Sequence, residues 1–110
     1  MVESMSLDRT FEALASAPRR RILAYLAEAE LSTSELATRF EMSAPAISRH
    51  LSILESAGLV TSERKGQFVY YKLNGENLVN TLTGYVFEIC PVAGPLKRES
   101  REIAAKRKSN

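Results

Sequence analysis

Apolar residues recur at helical spacing through the first half of the chain and at alternate positions in one short stretch after it. Leu7, Phe11 and Leu14 stand at i, i+4 and i+7, one face of a first helix. Ala17-Pro18 ends that pattern. Pro18 suits the first turn of a second helix, where its missing N–H is not needed. That helix carries Arg19-Arg20-Arg21 and buries Ile22, Leu23 and Leu26. Ser32-Thr33-Ser34-Glu35 is a capping box, a hydroxyl followed three residues later by a carboxylate. It opens a short third helix with Leu36, Ala37 and Phe40. Glu41-Met42 turns the chain. Ser43 then caps a fourth helix, with Pro45 in its first turn, which ends near Ala57-Gly58. Gly58 suits the left-handed position that closes a helix.

After Gly58 the period falls from 3.6 to 2. Residues 59–64 and 67–73 are rich in Val, Thr, Phe and Tyr, with Lys65-Gly66 between them, which predicts a β-hairpin. Asn74 caps a fifth helix. Leu78, Leu82, Tyr85 and Ile89 follow helical spacing, with Val79 and Val86 widening the stripe. Pro91, Gly94 and Pro95 interrupt it, and the rest reads as a polar helix or a disordered tail. The expected fold is mainly α with a small β-hairpin. Residues 1–96 form the domain and 97–110 a basic C-terminal helix or tail.

The chain has 110 residues, 45% hydrophobic and 25% charged, which is one globular domain by size. A (β/α)₈ barrel is excluded by length. The net charge is only +2, and it is uneven. Residues 97–110 hold six basic and two acidic groups; the other 96 residues hold nine and eleven. Any nucleic-acid binding must therefore come from a local patch. The N-terminus lacks a secretory pattern, and the apolar runs are too short for a membrane helix. A soluble, cytoplasmic protein with no membrane partner is expected.

The third and fourth helices, joined by Phe40-Glu41-Met42-Ser43, form a helix-turn-helix candidate. Ile47, Leu51 and Leu54 fall within about 60° of one another on the helical wheel. Pro45, Arg49 and Ser52 lie opposite, flanked by Ala46 and Ser48. Such a face, small near its start and carrying one guanidinium, fits a DNA groove closely. Ser43, Ala44, Pro45 and Ala46 also place helical N–H groups toward anions. A core helix that binds no DNA, with Arg49 merely solvated, is the alternative. The following hairpin favours the first reading. Arg64-Lys65-Gly66-Gln67 puts two cations at the tip of a ribbon, where a wing meets the phosphate backbone or the minor groove.

The run from Ser43 to Leu73 resembles the ArsR/SmtB family of winged-helix repressors. It includes Ile47-Ser48-Arg49-His50-Leu51, Leu54-Glu55-Ser56-Ala57-Gly58-Leu59-Val60, Arg64-Lys65-Gly66 and Tyr70-Tyr71. Pro18-Arg19-Arg20-Arg21-Ile22-Leu23 is similar to the start of the family's second helix. Gly66 to Asn74 is most similar to the SdpR-like autorepressor branch. The resemblance spans roughly residues 7–90 and implies a homodimeric transcription factor with a winged helix-turn-helix fold. It implies duplex DNA as partner, an inverted-repeat operator, and repression that extends to autorepression. DNA contact is then expected from Ser43, Ala44, Pro45, Ala46, Ser48, Arg49, His50, Ser52, Arg64, Lys65 and Gln67. The dimer interface is expected from Leu7, Phe11, Leu78, Leu82, Tyr85, Val86 and Ile89. Where the family has a polar cap before its Pro-x-Arg-Arg segment, this chain has Ala17, so the cap falls to Ser16 or the helix start frays.

Metal-sensing members carry a Cys-x-Cys pair near the third helix or paired ligands on the fifth. This chain has one histidine, His50, and one cysteine, Cys90. A four-ligand zinc site is not expected, nor is any cofactor. No nucleophile–base pair or phosphate loop points to an enzyme. Cys90 is read as a small buried hydrophobe, with thiol sensing as the alternative. His50 either contacts DNA or fills a gap between helices. The three arginines at 19–21 either meet phosphate or form a solvated face. Phe68 and Tyr70 alternate away from Val69 and Tyr71, and packing on a helix is preferred to base stacking. A winged-helix module that binds protein instead of DNA is the rival function. A sequestering protein partner is one conceivable route of control.

Overall fold

The computed structural model describes residues 2–90 and 95–109. Its elements in order are α1 (Val2–Leu14), α2 (Ala17–Glu28), β1 (Leu31–Ser32), α3 (Thr33–Arg39), α4 (Ala44–Ser56), β2 (Val60–Lys65), β3 (Phe68–Leu73), α5 (Gly75–Ile89) and α6 (Pro95–Ser109). Helices thus surround a small antiparallel sheet of order β1-β3-β2.

The starts of α2, α3, α4 and α5 each follow from a local cap. Ser16, not Ala17, caps α2, its side chain accepting from the Arg19 N–H at 3.4 Å. Ser32 and Glu35 form the full capping box of α3. Ser43 caps α4 by accepting from the Ala46 N–H, and Asn74 caps α5 by accepting from the Asn77 N–H. The end of α4 is a Schellman motif. The Leu59 N–H bonds the Leu54 carbonyl at 3.0 Å and the Gly58 N–H bonds the Glu55 carbonyl at 2.9 Å. Gly58 makes this possible with φ of +76°.

The end of α1 is closed from outside. Arg19 donates to the carbonyls of Ala13 and Glu12, and Arg20 to that of Leu14. The Ala13 and Leu14 carbonyls have no partner inside their own helix, the Glu12 carbonyl also accepts from the Ala15 N–H at 3.2 Å, and cations suit a helix C-terminus. Arg21 lies over the Phe40 ring, 4.7 Å from its centroid. The three arginines therefore hold helices together, a role that neither sequence-based alternative named.

The core is built from Ile22, Leu36, Ile47, Leu51, Leu54 and Leu59, all fully buried, with Leu26, Phe40 and Val60 beside them. Burial of each such side chain is worth about 1.5–3 kcal/mol. These residues come from α2, α3, α4 and the entry to β2, so the core fixes α4 and the hairpin together.

Two details differ from the sequence reading. The hairpin turn is Gly66-Gln67, not Lys65-Gly66, because Lys65 pairs with Phe68 in the ladder. Gly66 alone takes positive φ, +66°, as the first position of a type II′ turn requires. The sheet also has a third strand, β1, whose Leu31 and Ser32 pair with Tyr71 and Tyr70. Two residues give no period to read.

No residue of α5 is fully buried. The Cα radius of gyration is 19.0 Å. A compact chain of this length would have about 13 Å. The C-terminal segment is a polar helix, α6, the first of the two forms considered for it. Its approach, residues 91–94 with Pro91 and Gly94, lies outside the described residues.

Candidate nucleic-acid interface

Helix α4 buries Ile47, Leu51 and Leu54 and leaves Ser43, Ala44, Pro45, Ser48, Arg49 and Ser52 exposed, with Ala46 and His50 half-buried. The split is the one the helical wheel dictates. Arg49 makes no hydrogen bond or ion pair among the described residues, so its guanidinium fork is available. His50 is different. Its Nδ1 lies 3.3 Å from Nη1 of Arg19. Burial, then the charges of Arg19 and Arg49, hold its pKa below the ordinary value. Ser52 sits further along, where Arg9 and Glu12 of α1, Ile53 and Ser56 of α4 and the following Ala57 line a shallow groove with it. It is thus set apart from the residues at the start of the helix.

The hairpin lies against α4 through Ser62, whose hydroxyl donates to Oε2 of Glu55 at 2.7 Å. Strand alternation then puts Val60, Ser62 and Arg64 on the α4 side of β2. Thr61, Glu63 and Lys65 take the other side. Arg64 and Lys65, adjacent in sequence, thus leave the strand in opposite directions. Lys65 pairs with Glu30 at 3.0 Å and lies 5.5 Å from the centroid of the Tyr70 ring. The Glu30 carboxylate raises the lysine pKa. Gln67 is exposed in the turn. Tyr71 faces inward against the core, while Phe68 is exposed and meets Tyr70 edge to face at 6.5 Å. The helix packing expected of the outer aromatic pair is thus replaced by a contact within the strand, since the outer face of β3 has Lys65 and Glu63 of β2 across from it.

The model of the arsR family of bacterial regulatory proteins matches residues 17–62. The transcriptional repressor SdpR of Bacillus subtilis is 40% identical over 68 residues, which are 62% of this chain and 76% of that protein. The chain belongs to the arsR family. An ArsR-like transcriptional regulator from Rhodococcus sp. RHA1 superposes with a TM-score of 0.74 at 31% identity, over 98% of this chain and 95% of that one. A homodimeric winged helix-turn-helix DNA-binding domain from Mycobacterium bovis superposes with a TM-score of 0.62 at 31% identity, over 80% of this chain and 87% of that one.

This arsR-family chain is a winged helix-turn-helix transcriptional regulator that binds DNA, and α3, α4 and the β2–β3 hairpin are its helix-turn-helix and wing. Among the described residues no group of three or more His, Cys, Asp or Glu is placed to hold a metal ion. None of its described helices is long and apolar enough to cross a membrane.

The second surface of this arsR-family regulator is apolar. Phe11 of α1 meets Tyr85 of α5 edge to face at 5.2 Å. Leu7, Leu78, Leu82 and Tyr85 are half-buried, and Phe11, Val86 and Ile89 are exposed. Val79 and Phe87, each 61% exposed, are further apolar residues on α5 that were absent from the sequence-based interface; Val79 continues the arc beside Val86. Phe87 falls on the far side of the wheel from Leu78 and Tyr85, so a search for one stripe passes over it.

Proposed function

We propose that this protein acts in the cytoplasm as a homodimeric repressor that binds an inverted-repeat operator, with its own operon among the candidate targets. Helix α4 enters the major groove from its N-terminal half, where Ser43, Ala44, Pro45, Ala46 and Ser48 allow close approach. Arg49 then reads a base, and Arg64, Lys65 and Gln67 meet the backbone beside it. Ser52 and His50 border that contact. The observation that carries this reading is Arg49: an exposed, unpaired guanidinium at the centre of the small-residue face of α4. Paired protomers supply two such helices, and repression follows from occupying a promoter against polymerase.

Support for the dimer is the set of apolar side chains that one protomer leaves uncovered, Phe11, Val79, Val86, Phe87 and Ile89. Residues 1–96 make the binding and pairing unit, with 97–110 as a basic appendage. Expression level and a sequestering protein partner are the routes of control consistent with the ligand-poor sequence. The test is selection of genomic fragments by the purified full chain. Enrichment of an inverted repeat, bound more weakly as salt rises, supports the reading. Recovery of no preferred sequence refutes it.

A further inference from the structure

Arg19 stands where three helices meet. Its Nε donates to the Ala13 carbonyl at 2.7 Å and its Nη2 to the Glu12 carbonyl at 3.0 Å, both in the last turn of α1. Its Nη1 lies 3.3 Å from Nδ1 of His50 in α4. A guanidinium carries donors only. The contact is therefore a hydrogen bond only when Nδ1 is bare and accepts, and the hydrogen of neutral His50 then sits on Nε2. The ring is kept neutral near pH 7, because burial and the cations Arg19 of α2 and Arg49 of α4 all disfavour a second proton. The last turn of α1, the third element at this junction, contributes the two carbonyls that Arg19 bonds. Nε2 has no partner among the described residues.

Resting on the reading of α4 as the helix that enters the groove, we propose that Arg19 is a positioning residue for DNA recognition. It anchors on the end of α1 and holds His50 in the tautomer that offers Nε2–H to an acceptor on DNA. That acceptor is an oxygen or nitrogen lone pair, from a phosphate or from a base edge. The same fork joins a helix of the proposed dimer surface to the reading helix, so the two move as one body.

The chain has a single histidine, so its imidazole nitrogens are read without ambiguity in long-range ¹H–¹⁵N correlation spectra of the full-length protein. In the wild type above its titration, Nε2 carries the proton and Nδ1 is bare. Protonation occurs below the ordinary histidine value. In Arg19→Gln the midpoint moves back up toward about 6.5. Affinity for the selected operator falls about tenfold in Arg19→Gln, the scale of one base contact. The same change adds no further loss in a His50→Ala background. Equal loss on operator and scrambled DNA assigns the acceptor to phosphate; loss on operator alone assigns it to a base edge. Arg19→Lys keeps the charge without the fork, and thermal unfolding of each variant checks the fold. A proton on Nδ1 in the wild type overturns the proposal with no variant needed. So does a titration unmoved in both Arg19 variants, or an equal affinity loss in both His50 backgrounds. Failure to select any DNA defeats the function proposed above instead, while the spectra still report on the Arg19–His50 contact.

Discussion

The side-chain amide of Asn77 donates to the main-chain carbonyl of Gly58 at 2.8 Å and so ties the first turn of α5 to the end of α4. Close by, the Asn74 N–H bonds the Leu59 carbonyl at 2.8 Å. The exit of α4 and the entry of α5 thus form one hydrogen-bonded joint, although 19 residues separate Gly58 from Asn77. Gly58 is the residue that the joint tolerates least in any other form. A Cβ there would lie 2.6 Å from Nδ2 of Asn77, and φ is +76°. Left-handed backbone alone costs a residue with a Cβ about 1–2 kcal/mol. Gly58→Ala is expected to lower stability by about 1–3 kcal/mol, read from the urea midpoint, and Asn77→Ala by about 1 kcal/mol. A Gly58→Ala protein as stable as wild type would refute this account of the turn.

The helices and their caps were legible because hydroxyl, proline and glycine act over three or four residues. Ser32, Ser43, Gly58 and Asn74 each do in three dimensions what their neighbours in sequence imply. Arg19, Arg20 and Arg21 did not yield to the same reading. Their partners are the carbonyls of α1 and the Phe40 ring, reached across a helix break. The β1 strand was hidden by its length of two residues. In the wing, the presence of two cations was readable, but their divergence was not. That depends on Lys65 still being within the ladder, which moves the turn by one residue.

The exposed apolar side chains of α5 yield a prediction about assembly. Phe87→Glu is expected to give monomers at micromolar concentration, with the protomer fold intact because Phe87 is 61% exposed. Sedimentation under reducing, chelating conditions measures it, beside wild type. Half-sites would then be bound singly, so operator affinity should fall along with dimerisation. A Phe87→Glu dimer of wild-type strength would place the pairing surface elsewhere.

Arg49 and Lys65 should separate on DNA. Arg49→Ala is expected to cost about 1–3 kcal/mol, the worth of the proposed base contact, and to erase discrimination between operator and scrambled sequence. Lys65→Ala should weaken binding to both alike and reduce the salt slope by about 1. The 3.0 Å ion pair of Lys65 with Glu30 adds a second arm. Glu30→Gln releases the ammonium and should strengthen binding to any sequence. Titrations at several salt concentrations decide, and intact discrimination in Arg49→Ala would mean that α4 lies differently in the groove.

Acid should cost stability through His50. Its folded-state pKa lies below the ordinary value, because of burial first and the Arg19 and Arg49 charges next. As pH falls through about 6.5, the unfolded chain takes up a proton that the folded chain refuses. Stability therefore drops over that range and levels off below the folded pKa; above about 6.5 this group contributes no slope. The half-exposed position of the ring keeps the effect small. Urea unfolding from pH 8 to pH 5 checks it against His50→Gln, which retains every carboxylate but lacks this slope. Equal slopes in the two proteins would show that the imidazole titrates alike in the folded and unfolded states.

Operator affinity should not change on addition of stoichiometric Zn²⁺, Cd²⁺, Cu⁺ or arsenite. An effector must bind two states of the protein differently, and a metal must first find ligands. The sequence offers one histidine and one cysteine per chain. His50 is engaged with Arg19 on the reading helix, and Cys90 closes the C-terminus of α5, far along the chain from it. Pairing two protomers can bring together at most two Cys90 thiolates. Two sulfurs suit Cu⁺ better than the other ions, so copper is the most demanding arm of the test. Titrations with each metal, and then with peroxide, are run on wild type and Cys90→Ser. Release by a metal of more than about tenfold, a coupling of about 1.4 kcal/mol, would overturn the expectation. Release by peroxide that disappears in Cys90→Ser would make Cys90 a sensor and overturn its reading as a packing residue.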